Sequence, residues 1–321
     1  MANQFYNAPQ VAKTAVALAV EDSYLGATIS RNYENDLLGG GGKDLTVNVR
    51  IPSALIARER GIDDITTAIV LDSLTESTIP VTLGTHAYSA VALSEGDLSL
   101  HLESFATQVL APQVAAVVDD VEHDVAAALL AAEGLQALDI NGNPETVAAY
   151  SAADPVSYLV GLRRVLRNRQ VPVAGLNVVV GTQVFADLLA SQKLQDAAAS
   201  GSTAALREGQ VGRVQGFQVV ESTRVDENDI IAYHSDAFTL AVRAPIVPAG
   251  VAFGASESSN GYSLRYIRDY DASVLKDRSI VSTFAGVAAM PLYRVTRDYT
   301  AKTASVVEVP GGAAIHVNVG A

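Results

Sequence analysis

Two short stretches in the first third of the chain alternate hydrophobic and polar residues. They are Leu45–Ile51 (LTVNVRI) and Thr78–Leu83 (TIPVTL), and this alternation predicts two β-strands. The segment between them, residues 52–77, is polar and irregular, and we call it the long loop. Because a two-stranded ribbon is only marginally stable by itself in water, we expect these strands and the long loop to gain stability from a neighbouring molecule.

The long loop places charged residues beside aliphatic ones, with isoleucine, valine or leucine at positions 62, 65, 69, 70 and 71. A solvated surface loop is one interpretation of this pattern. A contact between subunits is the favoured one, because charges fix the register of an interface and apolar side chains supply its affinity. The charged residues predicted to take part in this contact are Arg58, Glu59, Arg60, Asp63 and Asp64.

A run of glycines followed by Lys43 precedes the first strand and invites comparison with a phosphate-binding loop. Leu37 stands where that pattern requires a glycine, and Asp44 stands where it requires serine or threonine. Glycine adopts backbone dihedrals that other residues avoid, so the run predicts a hinge. The hinge residues are Gly39, Gly40, Gly41 and Gly42.

A third predicted strand at Thr85–Leu93 is followed by helical spacing over Leu102–Glu133. Pro112 should bend or restart this long helix, because proline has no backbone N–H to donate. Beyond Pro112 one face is apolar, with Val114, Val118, Val121, Val125 and Leu129 at spacings of three and four. The acidic residues predicted to lie on the solvated face are Asp119, Asp120, Glu122 and Asp124.

From Asn141 onward, predicted helices and strands alternate, which favours an α+β module. Asp154–Arg169 is predicted to be a helix with Asp154 as its N-cap, and Gln183–Ser191 a second helix. Strands are predicted at Leu176–Val180, Phe217–Val220, Ile230–Tyr233, Phe238–Val242, Tyr262–Asp271 and Ser279–Ala289. A final hairpin is predicted to join Ala304–Val309 to Ala314–Val319 across Pro310–Gly312.

The main concentration of basic residues lies on the helix predicted at 154–169. Nucleic acid is one candidate partner for this basic face. Carboxylates of a neighbouring subunit are favoured instead, because the total charge is negative and no aromatic residues are interleaved to stack on bases. The arginines assigned to this second contact are Arg163, Arg164 and Arg167.

Composition and net charge argue against several classes of function. The chain of 321 residues has a net charge of −13, which argues against tight binding of nucleic acid through its phosphates. It contains no cysteine, which excludes disulfides and thiolate chemistry, and no apolar run reaches the roughly 18 residues that a membrane span needs. The five histidines lack metal-binding spacing and no catalytic motif is present, so no catalytic residue, metal ion or cofactor is predicted.

The order of these segments resembles the major capsid proteins of tailed bacteriophages, which have the Hong Kong 97-type fold, and among them the coat proteins of the phage gene 5 type. The resemblance covers nearly the whole chain. It is carried by LTVNVRIP (45–52), TIPVTLGTHAYSAVALSEGDLSL (78–100), ESFATQVLAPQVAAVVDDVE (103–122), GFQVVEST (216–223), HSDAFTLAVRAP (234–245), and RYIRDYD with RSIVSTFAGV (265–287).

The resemblance implies an α+β Hong Kong 97-like capsid fold composed of an arm, an extended β-hairpin called the E-loop, a peripheral domain and an axial domain. The implied ranges are 1–38 for the N-terminal arm, 39–84 for the E-loop, 85–149 for the peripheral domain with its spine helix at about 102–133, 150–250 for the axial domain, and 251–298 for the return strands of the peripheral domain. Residues 299–321 extend beyond the resemblance as a C-terminal β-hairpin tail.

The resemblance also implies a structural function in the virion and no enzymatic activity. Subunits of this family assemble into hexamers and pentamers of an icosahedral shell that encloses double-stranded DNA without sequence-specific binding. The implied place of assembly is the cytoplasm of the host bacterium, with a scaffolding protein and a portal as further partners and no membrane. The alternative is a cellular shell of the same fold that carries enzyme cargo, as encapsulins do.

Overall fold

The computed structural model describes residues 8–22, 24–31, 46–51, 53–64, 66, 68–74, 77–94, 105–192, 194, 212–251, 253–259, 262–273 and 276–320. The predicted hinge glycines, Gly39, Gly40, Gly41 and Gly42, lie outside these ranges. The chain forms two compact units, each assembled from three stretches of sequence. Unit 1 comprises Met1–Val47, Val81–Leu129 and Phe238–Ala288, and unit 2 comprises Asn48–Pro80, Leu130–Ala237 and Ala289–Ala321.

The described residues form both α-helices and β-strands, and most of the strands lie in the second half of the chain. The α-helices are α1 (Ala8–Asp22), α2 (Ala111–Leu130), α3 (Pro155–Asn168) and α4 (Thr182–Ala190). The strands are β1 (Thr46–Ile51), β2 (Ser77–Thr82), β3 (Thr85–Ser94), β4 (Leu176–Val180), β5 (Arg213–Val214), β6 (Phe217–Glu221), β7 (Asp229–His234), β8 (Phe238–Arg243), β9 (Phe253–Ser259), β10 (Tyr262–Asp271), β11 (Lys276–Ala289), β12 (Tyr293–Asp298), β13 (Thr303–Glu308) and β14 (Ala314–Asn318).

Unit 1 is built on a sheet of five strands in the order β3-β11-β10-β9, with β8 also paired to β11. The valines of one face of α2, together with Leu129, are buried. Gln113 attaches α2 to the sheet, because its amide nitrogen donates to the carbonyl oxygens of Ser89 (3.1 Å) and Ser279 (2.8 Å). Helix α1 contacts β9 and β10 and buries the small apolar face that contains Ala12, Ala15 and Val16.

The predicted long helix is confirmed, with an irregular start. One turn of π-helix at Ala106–Leu110 precedes α2, and Pro112 is the second residue of α2. Because proline has no N–H to donate to the preceding turn, the change of helix type next to Pro112 agrees with the predicted bend or restart. The prediction that Glu122 lies on the solvated face is wrong, since its side chain is buried.

Unit 2 contains a second sheet of five strands in the order β14-β7-β4-β6-β5. Strands β4 and β6 are parallel, and the other pairs are antiparallel. Every residue of β4 and β7 is buried, so these two strands form the centre of the unit. Helix α3 begins as predicted: the Asp154 carboxylate accepts the Ser157 N–H (3.3 Å), and Pro155 occupies the first turn.

The two strands that flank the long loop are also confirmed. They appear as β1 and β2, which pair with each other in a two-stranded sheet. The described residues of the long loop form no helix or strand before Ser77, which is the first residue of β2. The contacts described between this loop and other parts of unit 2 are therefore made by side chains and not by a ladder of strand hydrogen bonds.

The predicted C-terminal hairpin is wrong. Strand β13 pairs with β12, with Tyr293 opposite Glu308 and Asp298 opposite Thr303, whereas β14 pairs with β7 in the sheet of unit 2. The alternation of hydrophobic and polar residues identified both tail strands, but it carries no information on which strand lies beside which. Strand β8, which lies within the range of 150–250 predicted for the axial domain, pairs with β11 in unit 1.

Candidate assembly site

The described part of the long loop exposes an unusual number of aliphatic side chains. Ile62 is fully exposed, at 102% of its reference area, and Leu71 is 88% exposed. Scattered single exposed aliphatics are common on monomeric proteins, but a contiguous exposed run marks a site of interaction. The exposed aliphatics of the loop are Leu55, Ile62, Ile69, Val70, Leu71 and Leu74.

The charged residues of the long loop make different contacts. Arg58 donates to Asp72 at 2.6 Å, which joins the outgoing and returning limbs of the loop. This hydrogen bond raises the pKa of Arg58 and lowers the pKa of Asp72 from their ordinary values. Asp64 accepts the N–H and the hydroxyl of Thr66, both at 2.8 Å, and so shapes a local turn.

The remaining predicted contact residues of the loop are Glu59, Arg60 and Asp63, and all three are exposed. The structure therefore separates the predicted set by role. Arg58 and Asp64 form side-chain hydrogen bonds within the loop, whereas the other three are exposed and lie close to Ile62 in sequence. A fully exposed aliphatic residue with exposed charged neighbours is typical of protein–protein contacts that have an apolar centre and a polar rim.

The long loop also contacts the ribbon formed by β12 and β13. Arg297 of β12 donates from Nε to the carbonyl oxygen of Leu55 at 3.0 Å. Arg58 donates in the opposite direction, from the loop to the carbonyl oxygen of Lys302 at 3.4 Å. The sequence gives no signal for these contacts, because both acceptors are backbone carbonyls.

The basic face predicted on α3 is present and partly exposed. Arg164 and Arg167 are exposed, and their guanidinium groups donate to the carbonyl oxygens of Thr146 and Val171. Arg163 is half-buried beside the backbone of Gly216, where an added Cβ would lie 3.4 Å from its Cζ. The three arginines share one region of unit 2, and the contacts described for them are to the backbone of their own chain.

A buried ion pair at the end of the same helix was not predicted from the sequence. Arg169 and Glu145 form a bidentate pair in which Nε donates to Oε1 at 2.8 Å and Nη2 to Oε2 at 2.6 Å. The remaining guanidinium hydrogens donate to carbonyl oxygens of Gly134, Gly311 and Ala314. Because Arg169 follows three other arginines on one predicted helix, its spacing alone did not distinguish it from them.

A second missed interaction attaches the N-terminal segment to α2. The Glu122 carboxylate accepts the N–H groups of Leu25 (2.8 Å) and Gly26 (2.9 Å). A signal for this role was present in the sequence: Glu122 follows Val118 by four residues and precedes Val125 by three, which places it on the apolar stripe. A carboxylate on such a stripe is expected to be buried with hydrogen-bond donors.

The described residues show no cluster of three or more histidine, aspartate or glutamate side chains arranged to hold a metal ion. No described helix combines the length and the hydrophobicity that a membrane span requires.

Comparison with solved structures relates this architecture to proteins of bacteriophages. A structure from Mycobacterium phage Che8 matches with a TM-score of 0.57 and 18% identity, over 83% of this chain and 87% of that chain. The mature capsid of bacteriophage PhiM1 matches with a TM-score of 0.53 and 14% identity, over 99% and 89% of the two chains. The capsid of cyanophage P-SCSP1u matches with a TM-score of 0.56 and 11% identity, over 86% and 84%.

These matches show that the chain has an α+β fold of the kind found in bacteriophage capsids. No protein-family model matches the sequence, and no curated protein matches it.

Proposed function

We propose that this protein is the major capsid protein of a tailed bacteriophage, a structural subunit that assembles with copies of itself into a shell. The observation that carries the proposal is the long loop, which exposes six aliphatic side chains in a chain with a capsid fold. Exposed aliphatic side chains are unfavourable in water for a solitary molecule. A subunit whose neighbours cover them gains free energy of association from their burial.

The energetics favour assembly through many modest contacts. Burying one exposed valine, leucine or isoleucine side chain is worth about 1.5–3 kcal/mol before the costs of association are subtracted. Six such residues on each copy therefore supply a useful but limited driving force for each contact. Repeated around a closed shell, contacts of this strength allow misplaced subunits to dissociate and correct their position before the shell is complete.

The finer organisation follows the Hong Kong 97 type. We infer that the long loop with β1 and β2 is the E-loop, that α2 is the spine helix of a peripheral domain, and that the sheet of unit 2 belongs to an axial domain. Hexamers and pentamers of this subunit would form an icosahedral shell in the cytoplasm of the host bacterium, with a scaffolding protein and a portal as partners. The predicted contacts are Arg58, Glu59, Arg60, Asp63 and Asp64 of the loop, and Arg163, Arg164 and Arg167 of α3.

The cargo of the proposed shell is double-stranded DNA that the wall encloses without gripping. The net charge of −13 supports this part of the proposal, because a negatively charged protein repels phosphates and lets packaged DNA slide along the wall. We further infer that the subunit has no catalytic activity, since its proposed work is mechanical.

Electron microscopy of the purified protein tests the proposal directly. We expect closed particles of uniform diameter, and particles isolated from infected cells should protect DNA from nuclease. Particles that contain enzyme and no DNA would instead favour the cellular cargo shell. Solitary subunits at every concentration, with the long loop protected from proteolysis, would contradict both kinds of shell.

A further inference from the structure

We propose that the ribbon formed by β12 and β13 is a brace for the long loop, and that Arg297 and Arg58 are the positioning residues through which it acts. The brace holds the exposed aliphatics of the loop in the orientation in which a neighbouring subunit meets them. This inference rests on the proposed function for its effect on assembly, but the brace itself is a property of one chain.

The first support is the reciprocity of the contacts. Arg297 of the ribbon contacts the backbone of the loop, where its Nε donates to the Leu55 carbonyl oxygen at 3.0 Å. Arg58 of the loop donates to the Lys302 carbonyl oxygen in the turn of the ribbon. Arg58 lies on the outgoing limb of the loop and also donates to Asp72 on the returning limb at 2.6 Å. Both limbs are therefore connected to the ribbon through Arg58.

The second support is that the ribbon is better ordered by hydrogen bonds than the loop it contacts. Strands β12 and β13 pair without interruption from Tyr293 opposite Glu308 to Asp298 opposite Thr303. The turn between them is closed by the Asp298 carboxylate, which accepts the N–H groups of Thr300 (2.8 Å) and Ala301 (2.9 Å). At its base, the N–H of Val309 donates to the carbonyl oxygen of Leu292 at 2.8 Å.

The third support is the exposure of the ribbon. Most residues of β13 are exposed, so the ribbon contributes little to the core of unit 2. The side-chain contacts of the ribbon at Arg297 and Lys302 are made with the loop, which fits a positioning role.

The brace has a physical benefit for assembly. A loop without helix or strand loses conformational entropy when a neighbour fixes it, at a cost of about 1–2 kcal/mol for each ordered backbone residue. Contacts that order the loop beforehand remove part of this cost from the association step. The braced loop therefore binds its neighbour more tightly than the same loop without Arg297.

Hydrogen–deuterium exchange on the full chain, diluted until light scattering shows single subunits, tests the brace without requiring assembly. Arg297→Ala should raise the exchange rate of amides in residues 53–64 by about 3–10-fold, as expected for loss of one hydrogen bond. The matched control is Arg294→Ala, on the same strand, whose side chain contacts Asn141 Oδ1 instead of the loop. This control should leave the exchange of residues 53–64 unchanged.

A second measurement uses the absence of cysteine from the chain. Spin labels on cysteines introduced at Leu71 and Thr300 should give a narrow distance distribution that broadens in the double variant Arg58→Ala/Arg297→Ala. Unchanged exchange together with an unchanged distribution would overturn the brace. A loosened loop whose shells form at the wild-type rate would overturn its role in assembly, whereas failure of the wild type to form shells would count against the proposed function alone.

Discussion

Arg169 is a charged residue whose side chain is fully buried in unit 2, and its surroundings explain why this is tolerated. Glu145 neutralises its charge, and carbonyl oxygens accept its remaining hydrogens. Gly311 is required beside it for two reasons: its φ of 70° lies in the left-handed region, and an added Cβ would lie 2.6 Å from Arg169 Nη1. The pair therefore joins α3 to the turn that leads into β14.

Replacing Arg169 tests the importance of this pair. Arg169→Ala leaves the Glu145 carboxylate buried without a counter-charge, so we expect the free energy of unfolding to fall by about 3–5 kcal/mol. Urea unfolding followed by circular dichroism gives this quantity. Arg164→Ala, which removes an exposed arginine from the same helix, should cost less than about 1 kcal/mol, and equal losses in the two variants would contradict the assignment.

The Asp139 carboxylate should make the free energy of unfolding depend on pH in the acidic range. Its carboxylate accepts the N–H groups of Asn143 and Asn141, both at 2.8 Å, and these hydrogen bonds, that from Asn143 first, lower its pKa below the ordinary value. A group with a lowered pKa in the folded state adds stability above the unfolded pKa of about 3.9, and this stability is lost as the pH falls through the folded pKa.

Asp139→Asn separates this contribution from the rest of the acid transition. The difference in unfolding free energy between wild type and variant should be constant above about pH 5 and should shrink below about pH 4. Unfolding curves measured at a series of pH values provide the comparison. A difference that stays the same at every pH would show that the Asp139 carboxylate does not titrate in this way.

At the scale of elements, the N-terminal segment depends on α2 for its position. The segment after α1 directs two backbone N–H groups, those of Leu25 and Gly26, at the buried Glu122 carboxylate. Tyr262 of β10 contributes a longer hydrogen bond to the same carboxylate at 3.4 Å. One side chain thus links three elements of unit 1.

Glu122→Ala removes the acceptor and leaves two buried N–H groups unsatisfied, each of which costs about 1–3 kcal/mol. We expect the amides of residues 24–31 to exchange faster with deuterium, since their attachment to α2 is lost. Asp120→Ala, which removes an exposed carboxylate from the same helix, is the control and should leave this exchange unchanged. Equal exchange in wild type and Glu122→Ala would show that the segment is held by other contacts.

The elements themselves were largely predictable, because their positions depend on local periodicity. The helix around Pro112, the cap at Asp154 and the strands β4, β7 and β10 all followed from residues close in sequence. Strand partners did not follow: β13 and β14 were predicted to pair with each other and instead join different sheets. Strand β13 pairs with β12, the strand directly before it, whereas β14 pairs with the more distant β7. A local pattern of hydrophobic and polar residues does not encode which of these partners a strand takes.

For the whole molecule, the α+β fold class was predictable from the order of segments, whereas the internal contacts of the long loop were not. The mixture of charged and aliphatic residues in the long loop led to the prediction of a contact surface, which stays a prediction. It did not reveal that Arg58 is engaged with Asp72 of its own chain, or that the ribbon of β12 and β13 contacts the loop. These contacts depend on where the returning limb of the loop and the strands β12 and β13 lie in the folded chain. The sequence of the loop alone does not determine those positions.

The exposed aliphatics of the long loop provide the decisive test of assembly. Ile69 and Leu71 are 77% and 88% exposed, so replacing both with aspartate removes little buried surface from the single chain. In a shell, the same change would bury two unpaired carboxylates against a neighbour, which costs several kcal/mol for each contact. We therefore expect Ile69→Asp/Leu71→Asp to keep the wild-type unfolding curve and to abolish particles in sedimentation and electron microscopy.

Leu138→Asp is the matched control, because Leu138 is also an exposed leucine of unit 2 but lies outside the long loop. This variant should fold and assemble. Both outcomes follow from the same physical argument: surface that is already exposed in the subunit has no value for its own folding and gains value only when another copy covers it. If the double variant forms normal shells, the aliphatic residues of the loop face solvent in the particle, and the proposed contact lies elsewhere.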